Sequence, residues 1–306
     1  VADLRIRKIQ FDLSEDVPFD WNPSDPSFSV QMDAVSVIAV GFETFIIAAM
    51  REAHELFASD AARAEGDDFT TQEALHAGAH RQHLRSLIRQ YPGLRETLEQ
   101  VLASFDHLTK TKSLKFRMAY IADLEASFTP YFKLLLDNVD ELFGPGDDRV
   151  ASLFLWHFVE EVEHRSSALI AYQALYKSDS YRTMVLPAVL KHLRGVMKII
   201  AAGFNEHVPH DVRKIDARIL DPGFMLRTSF RQKIARGKEP IEPFPHSALD
   251  DIPKDETKAS VRGILRSQLP GHDPEHQPLP AFAADWIGRF DQGYDVAHWH
   301  TAAEMA

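Results

Sequence analysis

The sequence predicts an all-α protein built on a bundle of long helices. Three observations carry this expectation. Beyond about residue 29, long stretches lack Pro and Gly and repeat apolar residues at helical spacing. Strand-like alternation with β-branched residues is nearly absent. The interruptions fall at turn signals, Tyr91-Pro92-Gly93 and Gly144-Pro145-Gly146-Asp147-Asp148.

Residues 1–29 are polar, carry Pro18, Pro23 and Pro26, and read as an extended arm. Residues 30–236 are expected to form the bundle, with helices over 31–59, 70–90, 94–109, 112–143, 148–178 and 180–207 and a further one over 211–236. Several approach 30 residues, against a usual mean of about 12, and four such helices in one chain imply a bundle. Pro130 and Pro187 fall inside these spans and are expected to kink or interrupt them. Residues 237–306 are Pro-rich (EPIEPFPHSALDDIP, LPGHDPEHQPLP), with short helices expected over 255–267 and 280–291. This tail reads as a wrap onto the bundle or onto a second subunit, and a homodimer fits it.

Composition narrows the function. The 306 residues include 34 Lys+Arg against 45 Asp+Glu, a formal charge of -11. That disfavours a nucleic-acid or anionic-membrane partner, both of which select basic surfaces. There is no Cys, so disulfides, thiolate metal sites and a Cys nucleophile are excluded. Any metal must be held by carboxylates and by some of the 15 His. The N-terminal residues lack the apolar region of a secretory signal. The longest apolar run, Ala34–Met50, carries Glu43 near its middle and reads as a core helix, not a membrane span. A cytoplasmic protein is the resulting expectation.

Two pairs of motifs carry the chemistry. Glu43 (GFETFI) and Glu125 (YIADLEASFTPYF) each stand alone on an apolar stripe, where an ionised carboxylate costs several kcal/mol unless neutralised. After each comes a Glu-x-x-His. Glu73 and His76 share about 80° of helical arc with His80 and His83, and Glu161 and His164 share about 60° with His157. The chain order is therefore Glu, Glu-x-x-His, Glu, Glu-x-x-His, each from a separate expected helix. That is the pattern for two metal ions inside a four-helix bundle, with two bridging carboxylates, two capping ones and one His per ion. Such an oxygen-rich set suits iron or manganese, as a like or mixed pair, better than zinc.

On these motifs the chain resembles the ferritin-like di-metal carboxylate superfamily over about residues 31–178. Within it the chain resembles the bacterial family of predicted metal-dependent hydrolases, whose fourth helix has the W-H-x-x-E-E-x-E-H type seen here as WHFVEEVEH. It is also similar to di-iron proteins of the p-aminobenzoate N-oxygenase type, which place an extra His one turn before the last Glu-x-x-His, where His157 stands. The resemblance implies the ligands Glu43, Glu73, His76, Glu125, His157, Glu161 and His164. The resemblance identifies no substrate; the apolar setting of the Glu residues in a bundle frame points to a non-haem di-iron enzyme that uses O₂ on a small, apolar substrate, with an external electron donor because no flavin or nicotinamide motif is found.

Alternatives accompany this reading. Two ions can instead activate water for hydrolysis, or the protein can bind iron without catalysis, or be a helical interaction protein with no metal. Glu160 is a second candidate beside Glu161. His80 reads as an added ligand or a supporting group, and His83 as a channel residue. Phe128, Tyr131 and Phe132 are candidate cavity walls, His54 is structural or exposed, and His272, His276, His298 and His300 are solvated tail residues. G-x-S-x-G, Walker-type phosphate loops, G-x-G-x-x-G and H-E-x-x-H are all absent.

Overall fold

The structure is a computed structural model that describes residues 4–225 and 245–299. It is all-α, with no strand among the described residues. The long helices are α1 (Pro26–Ala53), α2 (Asp60–Gln90), α3 (Leu94–Thr111), α4 (Leu114–Leu136), α5 (Asp148–Glu163), α6 (Ser167–Tyr176) and α7 (Asp179–His207), followed by α8 (Lys254–Ser267) and α9 (Ala281–Asp291). Helices α1, α2, α5 and α4 close a ring of four, each packed on the next. Helices α3 and α7 lie outside that ring and pack on one another.

Helix ends depart from the sequence expectation for identifiable reasons. Helix α1 starts within the expected arm because Asp25 caps it, accepting from the Phe28 amide at 2.9 Å. Pro26 in its first turn gives up an N–H that has no helical partner there. Helix α2 begins at Asp60, with Ser59 as cap. Its first turns (DAARAEGDDF) carry too few apolar residues to show a period. They pack because Gly66 lets Met50 and Phe57 come close, and a Cβ there would sit 2.9 Å from Met50. The expected 112–143 helix breaks at Asp137-Asn138 and resumes as the single turn Val139–Leu142. The expected 148–178 helix breaks at His164–Ser166, separating α5 from α6. The expected 211–236 helix is not continuous. His210–Arg213 ends at Lys214, whose φ is +60°, and Ala217–Leu220 is 3-10; residues 226–236 lie outside the described residues. Pro130 and Pro187 lie inside α4 and α7 without ending them.

One hydrophobic core takes residues from the arm (Leu4, Phe11, Trp21), the bundle and the tail (Trp286, Trp299). The tail packs on its own bundle. Ser260 Oγ donates to the Pro130 carbonyl, Gln268 Nε2 to the Asp123 carbonyl and the Trp299 amide to Ser152 Oγ. The segment Pro26–Leu56 has the length and composition to cross a membrane, but most of it is buried inside the protein.

Gly203 on α7 meets α3 at Thr97, and a Cβ there would overlap the threonine side chain. Gly203→Ala is expected to cost about 1–3 kcal/mol by overpacking, read as a lower thermal midpoint with metal content unchanged.

Candidate metal centre

All seven residues of the expected ligand set lie buried in the middle of the four-helix ring. Glu43 comes from α1, Glu73 and His76 from α2, Glu125 from α4, and His157 and Glu161 from α5. His164 is the C-cap of α5, so the helix break orients this side chain. The donor atoms fall into two groups, each with every atom within 4.8 Å of the others: Glu43, His76, His157 and Glu161, and Glu73, Glu125, Glu161 and His164.

Glu161 belongs to both groups and gives one oxygen to each. Its Oε1 lies 2.9 Å from His157 Nε2 and 3.6 Å from His76 Nδ1, while its Oε2 lies 3.1 Å from His164 Nε2. The first group is completed by Glu43 Oε1, 3.4 Å from His157 Nε2. The second is completed by Glu73 Oε1 and Glu125 Oε2, at 3.3 and 3.5 Å from His164 Nε2. The division differs from the expected one. Glu73 and His76, one turn apart on α2, face different groups, and the imidazoles divide two and one. Only Glu161 lies in both groups, where two bridging carboxylates were expected.

The electrostatics expose the cost of this arrangement without cations. Burial, with Glu161 and Glu125 nearby, pushes the Glu43 carboxyl well above its ordinary range, and burial with Glu161 does the same to Glu73. Burial raises Glu125 to about 8. Burial also lowers His76 to about 3 and His157 to about 4. Against its burial, Glu161 is held well below the ordinary range by His164 and His157. His164, also against burial, is held well above its ordinary value by Glu161, Glu125 and Glu73. No Arg or Lys forms an ion pair with these four carboxylates among the described residues. Glu43 Oε2, both oxygens of Glu73, Glu125 Oε1 and His76 Nδ1 are buried without a hydrogen-bond partner. Orphaned donor atoms aimed at shared points fit a pair of divalent cations, which would supply the missing partners.

Each imidazole is held from its outer side. His76 Nε2 lies 3.0 Å from Glu160 Oε2, and Glu160 in turn accepts from the buried Arg7 guanidinium at 3.2 Å. Arg7 also pairs with Glu163 at 2.6 Å and lies against the Trp286 and Phe290 rings. Glu160 is thus a support for His76, with Arg7 as its own partner. His164 Nδ1 meets Gln72 Oε1 at 3.1 Å, and Gln72 Nε2 donates to the Arg5 carbonyl. His157 Nδ1 meets His80 Nε2 at 2.8 Å. The arm, read from sequence only as an extended segment, therefore fixes two of the three histidines. Arg7 and Gln72 were not singled out in sequence, since neither follows a ligand spacing.

The other sequence candidates separate cleanly. His80 supports His157 and lies outside both groups. His83 is fully buried and bonded to Ser36, so it lines no channel. His54 is half-exposed beside Glu55 and Asp67. His298 bonds Asp295 and His272 is partly buried, and neither joins a metal-type group among the described residues. The His276 side chain and His300 lie outside the described residues.

A cavity of about 520 Å³ reaches the centre. Its wall is mainly apolar and includes Val35, Phe42, Leu124, Phe128, Phe132 and Met197, with Tyr131 among them. Glu43, His157 and Glu161 also line it, whereas Glu73, Glu125 and His164 do not. Three of the four residues of the first group therefore face the cavity, His76 excepted, and the second group reaches it only through the shared Glu161.

The fold and site define a helical protein with a buried carboxylate–imidazole centre suited to divalent metal. The chain belongs to the family described as predicted metal-dependent hydrolase, whose model matches residues 5–236. No curated protein and no solved structure matches it.

Proposed function

We propose that the protein is a two-metal enzyme, on a bundle of the ferritin-like kind, that hydrolyses a small, largely apolar organic molecule held in the cavity. The observation that carries the metal centre is the set of four buried carboxylates that form no ion pair with Arg or Lys among the described residues, converging in two groups that share Glu161. Family membership carries the reaction class. Glu43, His76, His157 and Glu161 would hold one ion, and Glu73, Glu125, Glu161 and His164 the other. Two divalent cations supply an acidified water and charge stabilisation for a polarised carbonyl or phosphoryl group. The apolar wall binds the body of the substrate and turns its reactive end toward the first group. Tyr131 in the wall, protonated at neutral pH as its ordinary value already dictates and pushed further up by burial, would offer a hydrogen-bond donor to the substrate.

A second reading is O₂-dependent oxidation of a similar substrate by two iron ions, with an external electron donor and manganese or a mixed pair as variants. Charge balance favours it. Four carboxylates match the charge of two divalent ions, which weakens them as acids toward water and accommodates a higher oxidation state.

One experiment separates the two. The chelated protein is reloaded anaerobically with Zn²⁺, Mn²⁺ or Fe²⁺ and offered aryl and alkyl esters, amides and phosphoesters. Hydrolysis without O₂, supported by redox-inert Zn²⁺, is the expected result. Turnover of apolar amines or hydrocarbons that requires iron, O₂ and a reductant, with no hydrolysis, would replace the first reading by the second.

A further inference from the structure

The cavity that reaches the centre is long for its volume. On α1 it is lined by Ser27, Gln31, Val35, Ala39 and Glu43, a series four residues apart that follows one side of the helix from its first turn to the metal group. At the helical rise, Ser27 stands about 24 Å from Glu43 along the axis, Gln31 about 18 Å and Val35 about 12 Å. A volume of about 520 Å³ spread over that length leaves a mean section of roughly 20 Å². Apolar carbons pack at about 4 Å, so this section takes a single hydrocarbon chain.

The two ends differ from the middle. Glu43, His157 and Glu161 form the inner end. The outer end is lined by Ser27 and Gln31 together with Ser247 and Asp250 of the tail. Ser247 Oγ donates to Asp25 Oδ2 at 2.8 Å, which sets this turn of the tail beside the start of α1. Gln31 is half-buried and Asp250 exposed, so solvent reaches the outer end. Between the ends the described wall is apolar apart from the Tyr131 hydroxyl. Val35, Ile38, Leu124, Phe128, Leu193 and Met197 are only half-buried there, and each turns toward the cavity. The apolar stretch runs about 12 Å, from Glu43 to Val35. An extended chain advances about 1.2 Å per bond, since a residue of three backbone bonds spans about 3.5 Å. The apolar stretch therefore matches about ten bonds.

We propose that the substrate carries its carbonyl or phosphoryl group on an unbranched aliphatic chain of about ten carbons, with the reactive group at Glu43, His157 and Glu161 and the far end of the chain at Gln31. The proposal rests on the two-metal reading above for the end that reacts, and on the cavity wall alone for the chain. Each methylene that leaves water for the apolar wall is worth about fourfold in affinity. The gain stops where the wall turns polar, so Gln31 sets the length limit. Ala39 keeps the slot open one turn from Glu43, and a large side chain there would close it about 6 Å from the reactive end.

The test is calorimetric titration of unbranched alkyl hydroxamates, from about four to about sixteen carbons, into the Zn²⁺-loaded full-length protein. The hydroxamate group binds metal, and only the chain varies along the series. Unbranched alkan-1-ols of the same lengths, titrated into the chelated protein, read the slot without metal. Both affinities are expected to rise about fourfold per methylene up to about ten carbons and to level off beyond. Gln31→Leu extends the apolar wall by one turn and is expected to move the break to about fifteen carbons. Ala39→Phe is expected to move it to about five. Melting checks that each variant folds, and Gln31→Leu, at a half-buried position, carries the test if Ala39→Phe does not. Affinities that ignore chain length, a break that stays in place in folded variants, or tighter binding of benzohydroxamate than of decanohydroxamate would overturn the proposal and leave the two-metal reading standing. A wild type that binds no Zn²⁺, with the alkanol series still breaking at about ten carbons, would overturn the two-metal reading and leave the chain slot standing.

Discussion

Replacing Glu161 by alanine is expected to empty both metal positions at once. Glu161 gives Oε1 to the group with Glu43, His76 and His157, and Oε2 to the group with Glu73, Glu125 and His164. Without it each group keeps three donors and the pair loses its shared charge. Each affinity should fall by at least about 100-fold, the upper end of what an outer-shell loss alone costs. The single-group variants provide the contrast. Glu43→Ala should weaken only the cavity-facing ion, and Glu125→Ala only the rear one. Metal analysis after gel filtration reads all three. Two ions per chain retained by Glu161→Ala would exclude the shared position of this side chain.

Removing the metals should make stability fall as pH rises, the reverse of a protein held by ordinary salt bridges. In the metal-free fold the carboxyls of Glu43 and Glu73 are held well above their ordinary range, and Glu125 at about 8, all by burial first and neighbouring carboxylates second. They are neutral when folded and ionised when unfolded. Unfolding therefore releases protons, and rising pH favours it. The contribution is intact below the unfolded value near 4.5 and is lost as pH climbs through the folded values. His164, raised by Glu161, Glu125 and Glu73 against its burial, loses its charge upward and acts in the same sense. His76 and His157, lowered by burial to about 3 and 4, oppose this only below their unfolded value near 6.5. The clean window is about pH 7–9. Across it the chelated protein should lose on the order of several kcal/mol, seen as a fall of roughly 5–10 °C in its thermal midpoint. The loaded protein should not follow, because cations replace the missing protons and bind more tightly as competing protons leave. A chelated protein whose midpoint is flat or rises over this window would contradict the burial of these carboxylates.

Much of this was legible in the sequence because spacing and context report different things. Carboxylates isolated on apolar stripes, at Glu43 and Glu125, announce a buried charge. The repeated Glu-x-x-His fixes which helical face carries it. Those two signals bring six of the clustered residues into view, and His157 follows from its place one turn before the last Glu-x-x-His. Spacing gives a direction around one helix axis, however, and nothing about how far each helix is rotated against its neighbour. For that reason the division into two groups, with Glu73 and His76 on different sides, required coordinates. Arg7 and Gln72 had no such pattern, since their roles come from the arm folding over α2 and α5. Helix ends failed where capping outweighed periodicity, as at Asp25 and Ser59, and where the chain breaks after α5 to turn His164 inward.

The most direct measurement is anomalous diffraction from crystals of the protein loaded with Mn²⁺ or Zn²⁺. Two peaks are expected in the bundle interior, one among Glu43, His76 and His157 and one among Glu73, Glu125 and His164, with the Glu161 carboxylate between them. A map with no anomalous density at these side chains, or with Arg or Lys drawn in against the carboxylates, would contradict the account.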